Sequence, residues 1–323
     1  MPKVRWGVLG CANFARKRTI PAMLETPTLE LVGVASRSAA KAEAFRAEFG
    51  LARAYGSYEE MLADPAIEAV YIPLPNGLHG EWTIRAAERG KHVLCEKPFA
   101  SSAAEAARVA EAVRRAGVHV MEGFMWRFHP QHLRAREVIE SGLIGPVRLV
   151  RAAFTFPVER KGNVRLRADL AGGSVMDVGC YPISGARFYF ADEPRRAYAR
   201  GEIDPECGVD MRMSGMLEFA GGRALIDCAF DLPFRNDLEI VGEKATIRIP
   251  RAWLPDEEAG LVIDGHARRM PPSNQYVSEF AHLSRCVREG RPPRYGPDDA
   301  VRQMRAVDAV LRSMRTGAPE PVV

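Results

Sequence analysis

The sequence has no long apolar run, no grouped cysteines and no block of like charge, and each absence removes a class of protein. No uninterrupted apolar stretch approaches the ~18 residues that a membrane-spanning helix needs, so no membrane association is expected. The six cysteines (Cys11, Cys95, Cys180, Cys207, Cys228 and Cys286) are scattered, with no Cys-x-x-Cys or Cys/His spacing. That pattern offers no metal site and reads as buried thiols in a reducing compartment. The net charge is only +4, with acidic and basic residues interleaved. A nucleic-acid binder would gather its cations on one face or tail, so none is expected as a partner. The first apolar strand begins within a few residues of Met1 and leaves no room for a signal peptide. A cytoplasmic protein is expected.

What is present is an alternation of short apolar runs with helical stretches. A chain of 323 residues is long for one hydrophobic core, so two domains are expected. Strands are predicted over residues 4–9, 29–35, 69–73, 92–95 and 118–121, and helices over 17–25, 39–49, 79–89 and 102–116. Strands alternating with helices imply right-handed βαβ crossovers and a parallel, doubly wound sheet of Rossmann type. Beyond a helix over 130–141 the pattern changes to strands of period two: 147–156, 211–219, 224–230, 238–241 and 245–249. Gly221-Gly222 and Gly242-Glu243 mark hairpin turns. A helix over 177–190 packs on this second sheet, and a helix over 298–315 closes the chain. The fold class is therefore α/β: an N-terminal Rossmann domain (1–123) and a C-terminal α+β domain (124–323) with an open, mostly antiparallel sheet.

Glycine is missing where a dinucleotide fingerprint wants it. The first turn reads Gly10-Cys11-Ala12-Asn13-Phe14-Ala15, so Ala12 takes the place where a bare backbone approaches a pyrophosphate. One methyl moves the phosphates outward but leaves the helix N-terminal amides available. Gly10, Ala12, Asn13 and Phe14 are thus candidate cofactor contacts, the alternative being a strand and turn with no ligand. An acidic residue is missing too. An NAD site places Asp or Glu at the end of the second strand to bond the ribose 2′-hydroxyl; this chain has Ser36, Arg37 and, a turn later, Lys41. Such donors suit a 2′-phosphate, so NADP(H) is preferred and NAD(H) remains possible. Ser38 also fits a helix N-cap beside solvated charges.

Three further segments carry a resemblance: Pro73-Leu74-Pro75-Asn76-Gly77-Leu78-His79, Cys95-Glu96-Lys97-Pro98, and Gly172-Gly173-Ser174-Val175-Met176-Asp177-Val178-Gly179-Cys180-Tyr181-Pro182. In this order, with 121–130 between the second and third, the chain resembles the glucose–fructose oxidoreductase, inositol dehydrogenase and rhizopine catabolism (Gfo/Idh/MocA) family over nearly its whole length. It looks like the branch of dimeric dihydrodiol dehydrogenases and bacterial xylose or glucose dehydrogenases. The resemblance implies hydride transfer between nicotinamide and a carbinol or carbonyl carbon of a sugar, keto-sugar or cyclic diol.

It also implies roles. Tyr181 is the expected acid/base, and the Lys97 ammonium brings down a phenol pKa that is otherwise ~10. Asp177, four residues before Tyr181 and so on the same helix face, bonds a substrate hydroxyl or orients Lys97; its alternative is the helix N-cap. Further cofactor contacts are expected from Pro73, Leu74, Asn76, His79, Glu96, Lys97 and Arg127, with His79 alternatively beginning its helix. Substrate contacts are expected from Lys97, Phe128, Phe154, Arg165, Asp177 and Tyr181, with core packing the alternative for Phe154 and Phe156. Arg165 and Arg167 favour a polyhydroxylated or anionic substrate. Inositol is in doubt, because inositol-dehydrogenase-like members carry His where this chain has Tyr181. A homodimer or homotetramer through the C-terminal sheet is expected. Two other functions fit the pattern: a non-catalytic, cofactor-sensing regulator and a sugar dismutase that holds NADP tightly.

Overall fold

The computed structural model describes residues 2–323. The chain forms two compact units: residues 1–125 with 274–301, and residues 126–273 with 302–323.

In the first unit six strands make one parallel sheet: β1 (Val4–Leu9), β2 (Leu29–Ala35), β3 (Arg53–Tyr55), β4 (Ala69–Ile72), β5 (His92–Glu96) and β6 (Val120–Gly123). Their order is β3-β2-β1-β4-β5-β6, the doubly wound order whose direction reverses between β1 and β4. Such a sheet binds ligands beyond the carboxyl ends of its strands at that reversal. The strands are covered on both faces and so read as continuous apolar runs; all four residues of β4 are buried.

The second unit holds a nine-stranded sheet. Its strands are β7 (Val147–Thr155), β8 (Arg196–Ile203), β9 (Asp210–Glu218), β10 (Arg223–Ala229), β11 (Arg235–Gly242), β12 (Thr246–Ile249), β13 (Gly260–Ile263), β14 (His266–Arg269) and β15 (Glu320–Pro321). They run in the order β14-β13-β12-β11-β7-β10-β9-β8-β15. Only β7 and β10 pair in parallel; the other neighbours are antiparallel. Both expected hairpins form, closed by Phe219 N–H to Gly222 O and Gly242 N–H to Ala245 O. The helix Cys180–Phe190 is buried along almost all its length on one face, and Trp253 beneath it donates its indole N–H to Ala153 O at 2.9 Å. Four strands of this sheet escape the sequence pattern, β8, β13, β14 and β15, as does the short edge strand β3 of the first. The four lie at the two ends of the sheet, where exposure removes the apolar alternation; all four residues of β14 are exposed.

Two helices are widened by the same device. Residues 15–19 and 175–179 form π-helical turns, with Ile20 N–H reaching back to Ala15 O. Each precedes a proline in the following turn, Pro21 and Pro182. Proline has no N–H to give and its ring collides with the carbonyl four residues back, so an extra residue per turn relieves the clash. The first helix consequently starts at Asn13, earlier than the expected residue 17.

A linear division at 123/124 does not describe the first unit, because residues 274–301 return to it. The amphipathic helix Gln275–Glu289 packs Phe280 edge-on against Trp6 (5.5 Å) and Tyr71 (5.3 Å). Trp6 also donates to Ser284 Oγ at 3.1 Å. Arg288 closes the contact with a fork on Glu68, at 2.7 and 2.8 Å. This fork holds the Glu68 carboxyl at about 2, below the ordinary ~4.3. A depressed carboxylate stabilises the fold above its unfolded pKa, and that contribution vanishes as pH falls through the folded value. Glu68→Gln is therefore expected to lower the melting temperature at neutral pH, with the difference from the parent protein closing between about pH 5 and pH 2. A pH-independent difference in thermal melts would contradict this.

No helix among the described residues is long and apolar enough to cross a membrane.

Candidate active site

The turn after β1 needs Gly10. Its φ is +125°, a region closed to side chains, and a Cβ there would meet Leu74 Cδ2 at 2.8 Å. Asn13 and Phe14 open the following helix on an exposed surface, Ala12 is half-buried and Ala15 is fully buried. The free amides of that helix start are thus accessible to an anion. Phe14 leans edge-on against Tyr276 at 5.9 Å.

At the end of β2, the Ser36 hydroxyl is buried and accepts Ser38 N–H at 3.2 Å. Ser38 caps the next helix, accepting Lys41 N–H at 3.3 Å, so its capping role is real. Arg37 and Lys41 are exposed. Tyr58, near Arg37, is a phenol pushed up chiefly by burial and partly offset by that cation. Cys11 is a buried thiol, as expected. Its thiol reaches Lys41 O at 3.8 Å and Ala35 O at 4.0 Å, tying the glycine turn to β2 and its helix. Burial pushes this thiol up, as befits a packing group.

His79 is packed between two backbone segments. It is fully buried, with Nε2 2.7 Å from Leu74 O and Nδ1 2.7 Å from Pro98 O. Burial pulls the imidazole below its ordinary range, against these two carbonyls. The ring thus bridges the segment after β4 and the turn after β5, the neutral imidazole donating to one of the two carbonyls. Pro73 is buried, and Leu74 and Asn76 are half-buried on that segment.

Lys97, half-buried, follows β5 and precedes Pro98 through a cis peptide bond. The turn is fastened on both sides. Phe99 N–H donates to the buried Glu122 (2.9 Å), Ser101 N–H to Glu105 (2.7 Å), and the Tyr71 hydroxyl to Glu96 (2.7 Å). Glu96 therefore has a structural partner in the core beside any role toward a ligand.

In the second unit, Tyr181 is buried on the helix Cys180–Phe190. Phe154 lies edge-on to its ring at 5.1 Å, and Trp253 lies at 5.9 Å. Phe154 is thus a wall of the Tyr181 site; Phe156, beyond the end of β7, packs on Phe154 and Phe230. Asp177 is not the helix cap. It sits inside the π-helical turn and accepts Arg165 Nε–H at 2.7 Å. The cap is Asp210 from β9, which accepts Ser174 Oγ–H at 2.6 Å and Val175 N–H at 2.7 Å. Only pairing across the sheet brings Asp210 there, so no local signal announces it. Arg127 is buried and donates to Ser184 Oγ at 2.7 Å, and Phe128 is buried beside it. Arg167 is drawn away from this cluster: it is exposed and paired with Asp169.

Comparison with known proteins places this geometry. Residues 4–124 match an oxidoreductase family with an NAD-binding Rossmann fold, and residues 132–248 match the GFO/IDH/MocA C-terminal domain. The chain belongs to the Gfo/Idh/MocA oxidoreductase family. It is 42% identical to a D-xylose 1-dehydrogenase (NADP(+)) of Haloferax volcanii, over 97% of this chain and 98% of that protein. An aldose–aldose oxidoreductase from Caulobacter crescentus, solved with glycerol, superposes with a TM-score of 0.92 at 29% identity, covering 99% of both chains. A 3-ketoreductase from Actinomadura kijaniata, solved with NADP and TDP-benzene, superposes with a TM-score of 0.89 at 31% identity, covering 96% of this chain and 98% of that one.

Proposed function

We propose that this protein is an NADP(H)-dependent oxidoreductase acting on a carbinol or carbonyl carbon of a sugar, keto-sugar or cyclic diol. The observation that carries the reading is that the chain keeps both groups the chemistry needs: Lys97 on the turn that ends β5, and Tyr181 in an aromatic setting beside Asp177. The nicotinamide, when bound, supplies or accepts the hydride. Tyr181 gives its phenolic proton to the substrate oxygen in reduction and takes it back in oxidation. The Lys97 ammonium stabilises negative charge on that oxygen, and Asp177 receives a neighbouring substrate hydroxyl.

The cofactor reading fits the first unit. The accessible amides at Asn13 and Phe14 suit a pyrophosphate. Ser36, Arg37 and Lys41 suit a 2′-phosphate, with no carboxylate at the end of β2 to repel it. Leu74, Asn76, Glu96 and Arg127 complete the proposed cofactor contacts, and Phe128 and Phe154 those to substrate. A second copy of the chain is the proposed partner across the outer face of the nine-stranded sheet. There Arg235 pairs with Asp227 at 2.6 Å and Arg151 with Glu239 at 3.5 Å around the exposed Leu225, a mixed-sign surface that a two-fold axis can match to itself; a monomer in light scattering at micromolar concentration counts against it.

The likeness to an aldose–aldose oxidoreductase favours one second reading, hydride exchange between two sugars on retained NADP. The test is a panel of aldoses, keto-sugars and cyclic diols with NADP and with NAD, followed at the nicotinamide absorbance. No turnover across the panel sinks the main reading. Turnover between two sugars without added cofactor, with NADP retained through gel filtration, selects the second.

A further inference from the structure

We infer that Arg165 is a positioning residue for Tyr181, acting through Asp177: its guanidinium fixes the Asp177 carboxylate in the orientation in which it works beside the phenol. The inference rests on the role proposed above for Tyr181.

The contact itself is a half-buried ion pair. Arg165 Nε–H meets Asp177 Oδ2 at 2.7 Å, with the Asp177 side chain 8% exposed and that of Arg165 40%. The attraction of Asp177 and, more weakly, of Tyr181 holds the guanidinium above its ordinary range. Arg165 is thus within electrostatic reach of the phenol as well as bonded to the carboxylate. Phe154 and Trp253 pack against the Tyr181 ring. Asp210, engaged as the cap, and the buried thiols of Cys180 and Cys228 are further ionisable groups at this helix start.

The backbone around Arg165 is built to hold it there. Asn163 Oδ1 accepts Arg165 N–H at 3.1 Å, closing the short turn that presents the side chain. Arg165 O accepts Gly173 N–H, and Arg167 O accepts Gly172 N–H, each at 2.9 Å. Gly172 has no room for a Cβ, which would strike the carbonyls of Arg165 and Arg167; one on Gly173 would strike Asp210. The glycine pair therefore lets two backbones touch, and that contact locks the Arg165 turn to the helix start carrying Asp177. A surface arginine would need none of this.

The experiment compares the full-length protein with Arg165→Met, Arg165→Lys, Asp177→Asn and Tyr181→Phe. The first readout needs no substrate: the tyrosinate ultraviolet titration assigned to Tyr181 by its loss in Tyr181→Phe. Removing a neighbouring cation disfavours the phenolate, so this titration moves up by about one pH unit in Arg165→Met and stays near its parent position in Arg165→Lys. The second is turnover with D-xylose and NADP, where both Arg165 variants lower kcat about tenfold or more with unchanged NADPH affinity. Lysine keeps the charge but loses the planar donor that orients the carboxylate. In the Arg165→Met, Asp177→Asn double variant the losses are less than additive. An unmoved Tyr181 titration in folded Arg165→Met, or a parental kcat in Arg165→Lys, overturns the inference. A fully active Tyr181→Phe instead overturns the role of Tyr181 itself, whatever Arg165 does.

Discussion

Tyr181→Phe is expected to lower kcat by about 100- to 10,000-fold, the range for losing a positioned acid/base group. It is expected to leave the melting temperature and NADPH affinity nearly unchanged. The geometry separates these effects. The Tyr181 ring is 5% exposed and is held by Phe154 edge-on at 5.1 Å and Trp253 at 5.9 Å. Phenylalanine keeps both ring contacts and removes only the hydroxyl, so the packing energy stays and the proposed proton carrier goes. The proposed dinucleotide contacts at the Gly10 turn and the Ser36–Lys41 segment belong to the other unit, so NADPH affinity is expected to hold. Lys97→Ala is expected to lose turnover as well. Steady-state kinetics, thermal melting and NADPH fluorescence titration measure the three quantities. A kcat within about threefold of the parent would remove Tyr181 from the proposed chemistry.

Gly10→Val is expected to abolish NADPH binding and to destabilise the protein. At φ +125° a side chain costs about 1–3 kcal/mol in backbone strain alone. A Cβ would also press on Leu74 Cδ2 at 2.8 Å, and valine adds two methyls to that collision. Leu74 cannot retreat freely, because its carbonyl lies 2.7 Å from one ring nitrogen of the buried His79, whose other nitrogen lies 2.7 Å from Pro98 O beside Lys97. The disturbance at Gly10 therefore reaches the turn that presents Lys97. Ala12→Gly is the matched control. Ala12 is half-buried with ordinary backbone, and removing its methyl is expected to change NADPH affinity only about a few-fold. Parental NADPH affinity in Gly10→Val would show that this turn does not hold the dinucleotide.

Much of the candidate site lies on short segments tied to strand ends, which the sequence pattern marks. Lys97 directly follows β5, Gly10 directly follows β1, and Ser36 and Arg37 directly follow β2. Strand ends are where a doubly wound sheet binds ligands, so reading the strands already put these residues where a ligand is expected. His79 shows where that logic stops. Its motif marked the segment but not the direction of its ring, which lies between two backbone carbonyls. Asp177 is equally undecided by local pattern. Its place after two glycines fitted a cap as well as a catalytic group, and it is Asp210, 33 residues further on, that takes the cap.

The sequence by itself determined the parallel sheet, the change to period-two strands and the family motifs. Each of these is written in local periodicity or in a few adjacent residues. Only the tertiary structure decided that residues 274–301 return to the first unit, that Asp210 caps the helix start before Tyr181, and that Arg165 grips Asp177. All three are contacts between segments far apart in the chain or on separate elements. Their energy comes from desolvated polar atoms finding partners, and no single segment carries a record of which partner it will meet.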